Sequence, residues 1–319
     1  MDRPNRPYLP PLSSSNNPFL NLQSRYLVLG TYLIASIVLG MLYGLLGQLS
    51  LMPKLAGDAI SVPILSIAIW TVMASVILLV GKAQGLKLKY LLGPKGFGHP
   101  NKNAPRLSYL YAGLLVASLL IFSLGSFSVV FYVIAALTPD YAADILETNL
   151  MLGGGGSNYP QLYDGLMAFL LLVYAPLVEE LVFRGILLQR WGMKWGLRWG
   201  VVASSLLFGL LHVNNPLGLT LFGLAMGLLY VRTQCLWVPI FCHALNNLAA
   251  IAIDTLSKAS GSEQAYTVAE VQDSWSVGLV LIAISAPFLG HFIWRSWPRR
   301  GDKIPYLLNV GLAGGDKVG

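Results

Sequence analysis

Two adjacent glutamates, Glu179 and Glu180, lie within an apolar stretch that is long enough to cross a membrane. Carboxylates are unfavourable in hydrocarbon, and ionisable side chains in such stretches are typical of catalytic or transport sites. Arg184 follows Glu180 by four residues, so the two share a helix face in the favourable acid-first order. Glu179 is rotated about 100° away, which suits a general base that faces a cavity. A buried Glu–Arg pair that only fixes helix packing is the structural alternative.

Two later apolar stretches carry pairs with the same four-residue spacing, Phe208 with His212 and His243 with Asn247. Each pair alone also fits an ordinary packed helix, in which the polar side chain is satisfied by a neighbouring group. Taken with the acids and the arginine, they supply a base, a group that orients it and neutral hydrogen-bond donors. This inventory predicts hydrolysis of an amide, with imidazole and carboxamide donors for the oxyanion.

The same side chains raise the question of a metal, because imidazole nitrogen and carboxylate oxygen also bind Zn²⁺. Glu179, His212 and His243 are the candidate ligands, although no His-Glu-x-x-His helix is present. A metal-free site without a cofactor and a zinc site therefore both remain open. The two cysteines, Cys235 and Cys242, are predicted to be buried thiols and not part of a disulfide framework.

The composition indicates which elements position these residues. Hydrophobic residues make up 55% of the 319 and charged residues only 11%, whereas soluble domains are about a quarter charged. We therefore predict an all-α, polytopic membrane protein whose transmembrane helices, about eight in number, enclose the catalytic cavity. The predicted spans are 26–49, 59–81, 107–137, 163–189, 197–214, 216–234, 237–256 and 274–294.

The orientation follows from the loops, since lysine and arginine are enriched on the cytoplasmic side. Lys82–Arg106 contains six basic residues and no acid, whereas the connection Thr138–Tyr163 begins with acidic residues. We therefore expect both termini in the cytoplasm. The net charge of +7 then belongs mostly to loops that can contact anionic lipid headgroups, and it does not indicate nucleic-acid binding.

The remaining segments show a simple organisation. Residues 1–25 are predicted to be a disordered tail without a cleavable signal peptide, residues 26–297 to be the membrane domain, and residues 298–319 to be a short polar tail. The run Gly153–Gly156 predicts a flexible loop tip, because the lysine and helix start of a phosphate-binding loop are missing.

The three motifs in this order resemble those of the CPBP family of intramembrane proteases, the CAAX proteases and bacteriocin-processing enzymes. They read Glu179-Glu180-x-x-x-Arg184, Phe208-x-x-x-His212 and His243-x-x-x-Asn247. The resemblance extends over about 166–256, and the other spans match only as generic membrane helices.

The resemblance implies an eight-span helical fold and the activity of a type II CAAX prenyl endopeptidase, without a metal. Glu179 and His212 would then activate the water, and His243 with Asn247 would form the oxyanion hole. Glu180 and Arg184 would support them. The expected partners are membrane lipids and a peptide or protein substrate, which the family name implies to be prenylated, and the expected location is a bacterial inner membrane. The alternatives are an ion-coupled transporter and a non-proteolytic interaction or immunity protein that uses the same buried charges.

Overall fold

All regular structure in the described residues is helical, as predicted. The computed structural model describes residues 17–24, 26–48, 57–94, 109–147, 152, 156–259 and 267–315. The helices are α1 Pro18–Asn21, α2 Tyr26–Gln48, α3 Ser61–Ala83, α4 Leu88–Leu92, α5 Tyr109–Leu137, α6 Pro139–Glu147, α7 Pro160–Trp195, α8 Leu197–Leu210, α9 Pro216–Thr233, α10 Trp237–Ala259, α11 Val268–Asp273, α12 Trp275–Ser296 and α13 Pro305–Gly315.

Seven of the described helices are long and apolar enough to cross a membrane, namely α2, α3, α5, α7, α9, α10 and α12. The chain is therefore an integral, multi-pass membrane protein. The predicted fifth span, 197–214, is wrong in length: α8 has 14 residues and ends at Leu210. At 1.5 Å per residue it is about 21 Å long, which is shorter than the hydrocarbon layer of about 30 Å.

The end of α8 is followed by a start signal for α9. The Asn215 side chain accepts a hydrogen bond from the Gly218 backbone N–H, and Pro216 occupies the first turn of α9, where its missing N–H is tolerated. The same carboxamide donates to the Ser123 backbone carbonyl over 2.9 Å and accepts from the Ser126 hydroxyl over 3.0 Å. Both serines lie on α5, so the connection that carries His212 is held against that helix.

Helices α5 and α12 approach each other closely at two glycines. A Cβ atom added at Gly125 would lie 2.6 Å from the Gly278 carbonyl oxygen, and one added at Gly278 would lie 2.6 Å from the Gly125 carbonyl oxygen. Small residues allow such backbone contact between membrane helices, where packing and not hydrophobicity holds helices together. This pair supports one wall of the bundle.

Both ends of the described chain pack against the end of α7. The Arg190 guanidinium donates to the Leu22 carbonyl over 2.7 Å, and the Tyr306 backbone N–H donates to the Gln189 side-chain oxygen over 2.8 Å. The rings of Phe19 and Tyr306 meet edge to face at 5.3 Å. Residues 17–24 and the helix at residues 305–315 therefore contact α7 and each other, and the predicted tails as such stay predictions.

Three predicted features fall partly or wholly outside the described residues. They are the first part of the N-terminal tail at residues 1–16, the basic loop from residue 95 to residue 106, and the glycine tip at residues 153–155. The predicted orientation of the termini stays a prediction.

Candidate active site

Helix α7 carries both glutamates on a short α-helical turn between two π-helical segments. The turn is Ala175–Glu180, and the π segments are Leu170–Tyr174 and Leu181–Leu187. A π segment inserts an extra residue per turn, and such insertions often occur at functional sites. Here they flank the carboxylates on both sides.

The predicted pair of Glu180 and Arg184 is present and fully buried. Arg184 Nη1 donates to Glu180 Oε1 over 2.9 Å, with side-chain exposures of 1% and 0%. Arg184 Nη2 donates to the Gly223 carbonyl on α9 over 3.1 Å. A guanidinium in this position compensates the buried carboxylate and links α7 to α9.

His243 on α10 lies between the two carboxylates. Its Nδ1 atom is 2.9 Å from Glu180 Oε1, and its Nε2 atom is 3.8 Å from Glu179 Oε2. Glu179 is the more accessible acid, with a side-chain exposure of 16% against 0% for Glu180. The structure therefore gives these two adjacent glutamates different surroundings: Glu180 is fully buried against an arginine and a histidine, whereas Glu179 is partly exposed.

The Phe208 ring lies at the centre of this cluster and is fully buried. The Arg184 guanidinium carbon is 4.7 Å from its centroid, in a cation–π geometry. The centroids of the His212 and His243 rings are 4.5 Å and 6.2 Å away. His212 thus packs on the same aromatic ring as Arg184 and His243.

His212 also has a defined tautomer. Its Nδ1 atom lies 2.7 Å from the Phe208 carbonyl oxygen. Because a carbonyl only accepts, Nδ1 carries the proton and Nε2 is left as an acceptor in the neutral ring. Such a ring can bind a water proton through Nε2.

Asn247 follows His243 by one turn on the same face of α10, as the spacing predicts. Its Nδ2 atom donates to the Leu171 carbonyl over 2.8 Å, within the first π segment of α7. Asn247 therefore contacts the helix that carries the glutamates, and one of its two amide protons is already used.

Two contacts were not predicted from the sequence. The Gly223 carbonyl accepts from Arg184, and the Phe222 ring packs edge to face on His243 at 5.0 Å. Both residues belong to α9, whose apolar sequence contains no spacing that distinguishes them from ordinary core residues.

The zinc alternative can be tested against this geometry. Within the parts of the chain that the structure describes, no three His, Cys, Asp or Glu side chains are arranged to hold a metal ion. Both histidines place Nδ1 on a protein acceptor, which leaves each Nε2 atom available, as in histidines that bind a metal. Glu179, His212 and His243 nevertheless do not form a ready three-ligand cluster among the described residues, and the choice between a metal-free site and a zinc site stays a prediction. The cysteines are free and buried, as predicted.

Comparison with known proteins shows similarity over part of the chain. Residues 161–249 match the family described as "Type II CAAX prenyl endopeptidase Rce1-like". A segment of 84 residues is 33% identical to the "Putative membrane peptidase YdiL" of Bacillus subtilis (strain 168) and covers 26% of this chain and 34% of that protein. The chain thus matches about a third of the length of this relative.

No solved structure matches the chain. The family match contains all six candidate residues, Glu179, Glu180, Arg184, His212, His243 and Asn247. It confirms the resemblance of this segment to the intramembrane proteases of the CPBP family.

Proposed function

We propose that this protein is an intramembrane endopeptidase of the CAAX protease and bacteriocin-processing type, which hydrolyses a peptide bond with water activated by Glu179. One observation carries the proposal. His243 is fixed by the buried Glu180–Arg184 pair, and its second nitrogen faces the partly exposed carboxylate of Glu179 over 3.8 Å. Two carboxylates in different surroundings can take different roles. Here Glu179 would react, and Glu180 would orient His243.

Glu179 and His212 would bind the attacking water. The Glu179 carboxylate accepts one water proton, and the Nε2 atom of His212 is available to accept the other because its Nδ1 proton is given to the Phe208 carbonyl. As the water oxygen bonds to the carbonyl carbon, its proton passes to Glu179. The same proton later goes to the leaving amine as the carbon–nitrogen bond breaks, so Glu179 returns to its charged form.

His243 would stabilise the oxyanion that forms on the substrate. An imidazole ring with protons on both nitrogens has two N–H donors. The Nδ1–H of His243 is held by Glu180, and its Nε2–H is then available to the oxyanion. The resemblance adds Asn247 to this oxyanion site, where only its second amide proton remains.

The substrate is proposed to be a peptide or protein segment that reaches the site from within or beside the membrane. The family match supports this substrate class. A prenyl group on the substrate, contact with specific lipids and residence in a bacterial inner membrane stay predictions.

The test compares purified wild type with Glu179→Gln on a library of plain and prenylated peptides, with cleavage detected by mass spectrometry. We expect wild type to cleave and Glu179→Gln to be slower by about 10²–10⁴-fold, as for removal of a general base. Glu270→Gln, an equivalent change on the distant helix α11, serves as the control and should cleave like wild type.

Each reaction is repeated with a zinc chelator, and unchanged rates are expected. Equal cleavage by wild type and Glu179→Gln would contradict the assigned base, and loss of cleavage in chelator would favour zinc. A folded wild type that cleaves neither half of the library would favour a non-proteolytic membrane protein built on the same fold.

A further inference from the structure

The π register and the sequence together predict that the Leu171 carbonyl loses its main-chain donor. In the π segment the Ala175 N–H donates to the Leu170 carbonyl, five residues back. In that register the Leu171 carbonyl would accept from residue 176, but residue 176 is proline and has no N–H. A carbonyl left in this way inside a membrane must find a donor elsewhere.

Asn247 supplies this donor from another helix. Its Nδ2 atom lies 2.8 Å from the Leu171 carbonyl oxygen, while His243, one turn earlier on α10, contacts Glu180. Two hydrogen bonds on one face of α10 therefore fix this helix against α7. The first bond is made at the turn that carries the carboxylates and the second at the π segment that precedes it.

We infer that Asn247 is a positioning residue: its carboxamide replaces the main-chain donor that Pro176 lacks, and so holds His243 opposite Glu179. This inference rests on the proposed function and differs from a role in the oxyanion hole alone. An oxyanion donor acts on the substrate, and its importance does not depend on residue 176. A donor to Leu171 is needed because residue 176 is proline.

The distinction can be measured because Pro176→Ala returns an N–H to α7. With alanine at residue 176, the Leu171 carbonyl has a main-chain donor and no longer depends on Asn247. Asn247→Leu removes the carboxamide but keeps the branching at Cγ and the number of heavy atoms in the side chain. The two changes alone and together form a double-mutant cycle.

The experiment measures thermal unfolding in detergent and kcat at saturating peptide for the four proteins of this cycle. With proline at residue 176, we expect Asn247→Leu to lower kcat by about ten- to a hundredfold and Tm by about 2–4 °C, as for a buried carbonyl left unpaired. With alanine at residue 176, we expect both losses to fall to less than half. Asn246→Leu is the matched control, because it removes a carboxamide from the adjacent position of α10, and its losses should be the same in both backgrounds.

Equal losses from Asn247→Leu in both backgrounds would overturn the inference. A second result would also overturn it: with alanine at residue 176, Asn247→Leu lowers Tm less than with proline but lowers kcat by the same factor. Asn247 would then act on the reacting groups directly. If wild type cleaves no peptide, the proposed function fails, whereas the Tm cycle still decides whether Asn247 replaces the missing donor.

Discussion

His243 Nδ1 lies 2.9 Å from Glu180 Oε1, and both side chains are buried. The same oxygen accepts from Arg184, while the second oxygen of Glu180 has no hydrogen-bond partner among the described residues. One oxygen thus joins an arginine and an imidazole from two helices. The arrangement fixes the direction of the imidazole ring and leaves its other nitrogen facing Glu179.

Arg184→Leu tests the role of the arginine in this unit. The change leaves the Glu180 carboxylate buried without its guanidinium, which should reduce the free energy of unfolding by about 3–5 kcal/mol. Peptide cleavage should fall as well, because His243 loses its fixed partner. Thermal unfolding in detergent and the cleavage assay measure the two effects.

Arg300→Leu, a change of an exposed arginine, is the control for Arg184→Leu. It should alter the free energy of unfolding by less than about 0.5 kcal/mol. If Arg184→Leu unfolded at the wild-type temperature, the buried pair would not have the stabilising role assigned to it.

Phe208→Leu tests whether the aromatic ring organises the site. Its ring contacts Arg184, His212 and His243, and leucine keeps an apolar side chain but no ring face. Phe131→Leu is a matched change, since Phe131 is also fully buried but belongs to a separate cluster with Ala135 and Ala142. We expect both variants to lose about 1–2 kcal/mol of stability, but only Phe208→Leu to lower kcat. Equal kcat in the two variants would show that the ring only fills space.

Gly125→Ala tests the close approach of α5 and α12. The new Cβ would lie 2.6 Å from the Gly278 carbonyl oxygen, so the helices must separate, at about 1–3 kcal/mol for overpacking. Gly113→Ala, on the same helix, is the control because no atom lies within 4 Å of its new Cβ. That change should be neutral or stabilising by up to about 1 kcal/mol. Equal unfolding temperatures of the two variants would contradict the close contact.

The sequence allowed prediction of contacts that depend only on helical spacing. Glu180 and Arg184 pair as expected, because a separation of four residues fixes a common face in an α-helix or a mild distortion of one. The Asn247 contact with Leu171 could not be predicted, since it depends on the π register of α7, and hydropathy does not reveal where an extra residue is inserted. A proline inside a helix is typical of a local distortion, but Pro176 alone does not show which carbonyl loses its donor or which side chain reaches it.

The predicted fifth span shows a different reason for error. Residues 197–214 contain one arginine and no acid, and a hydropathy window therefore extended the helix past its end at Leu210. Asn215 and Pro216 are a recognisable helix start, and they would have limited the length of α8. The contact between Phe19 and Tyr306 could not be predicted either, because it joins residues from opposite ends of the chain.

Asp58 links the connection before α3 to the connection before α7. Its carboxylate accepts from the Ile60 backbone N–H over 2.9 Å, from the Ser157 hydroxyl, and from the backbone and side-chain N–H groups of Asn158 over 2.9 Å and 2.7 Å. These hydrogen bonds lower the pKa of Asp58 from 3.8 to about 2. The bond from the Ile60 N–H has the largest effect, followed by those from Ser157 and Asn158. The residue lies outside the helices that can cross the membrane.

Asp58→Asn should therefore lower the stability of the protein at neutral pH but not in strong acid. Because the pKa in the folded state lies below the ordinary value, the charged carboxylate stabilises the fold above about pH 4. This contribution is lost as the pH falls through about 2, the pKa of the folded state. Thermal unfolding of wild type and Asp58→Asn from pH 7 to pH 2 should show two Tm values that converge below about pH 4. Asp273→Asn, which changes an exposed carboxylate on α11, should stay close to wild type throughout. A difference in Tm between wild type and Asp58→Asn that stayed constant over the whole pH range would contradict this prediction. The cause would then be a poorer fit of the asparagine side chain, and the charge of Asp58 would not hold the two connections together.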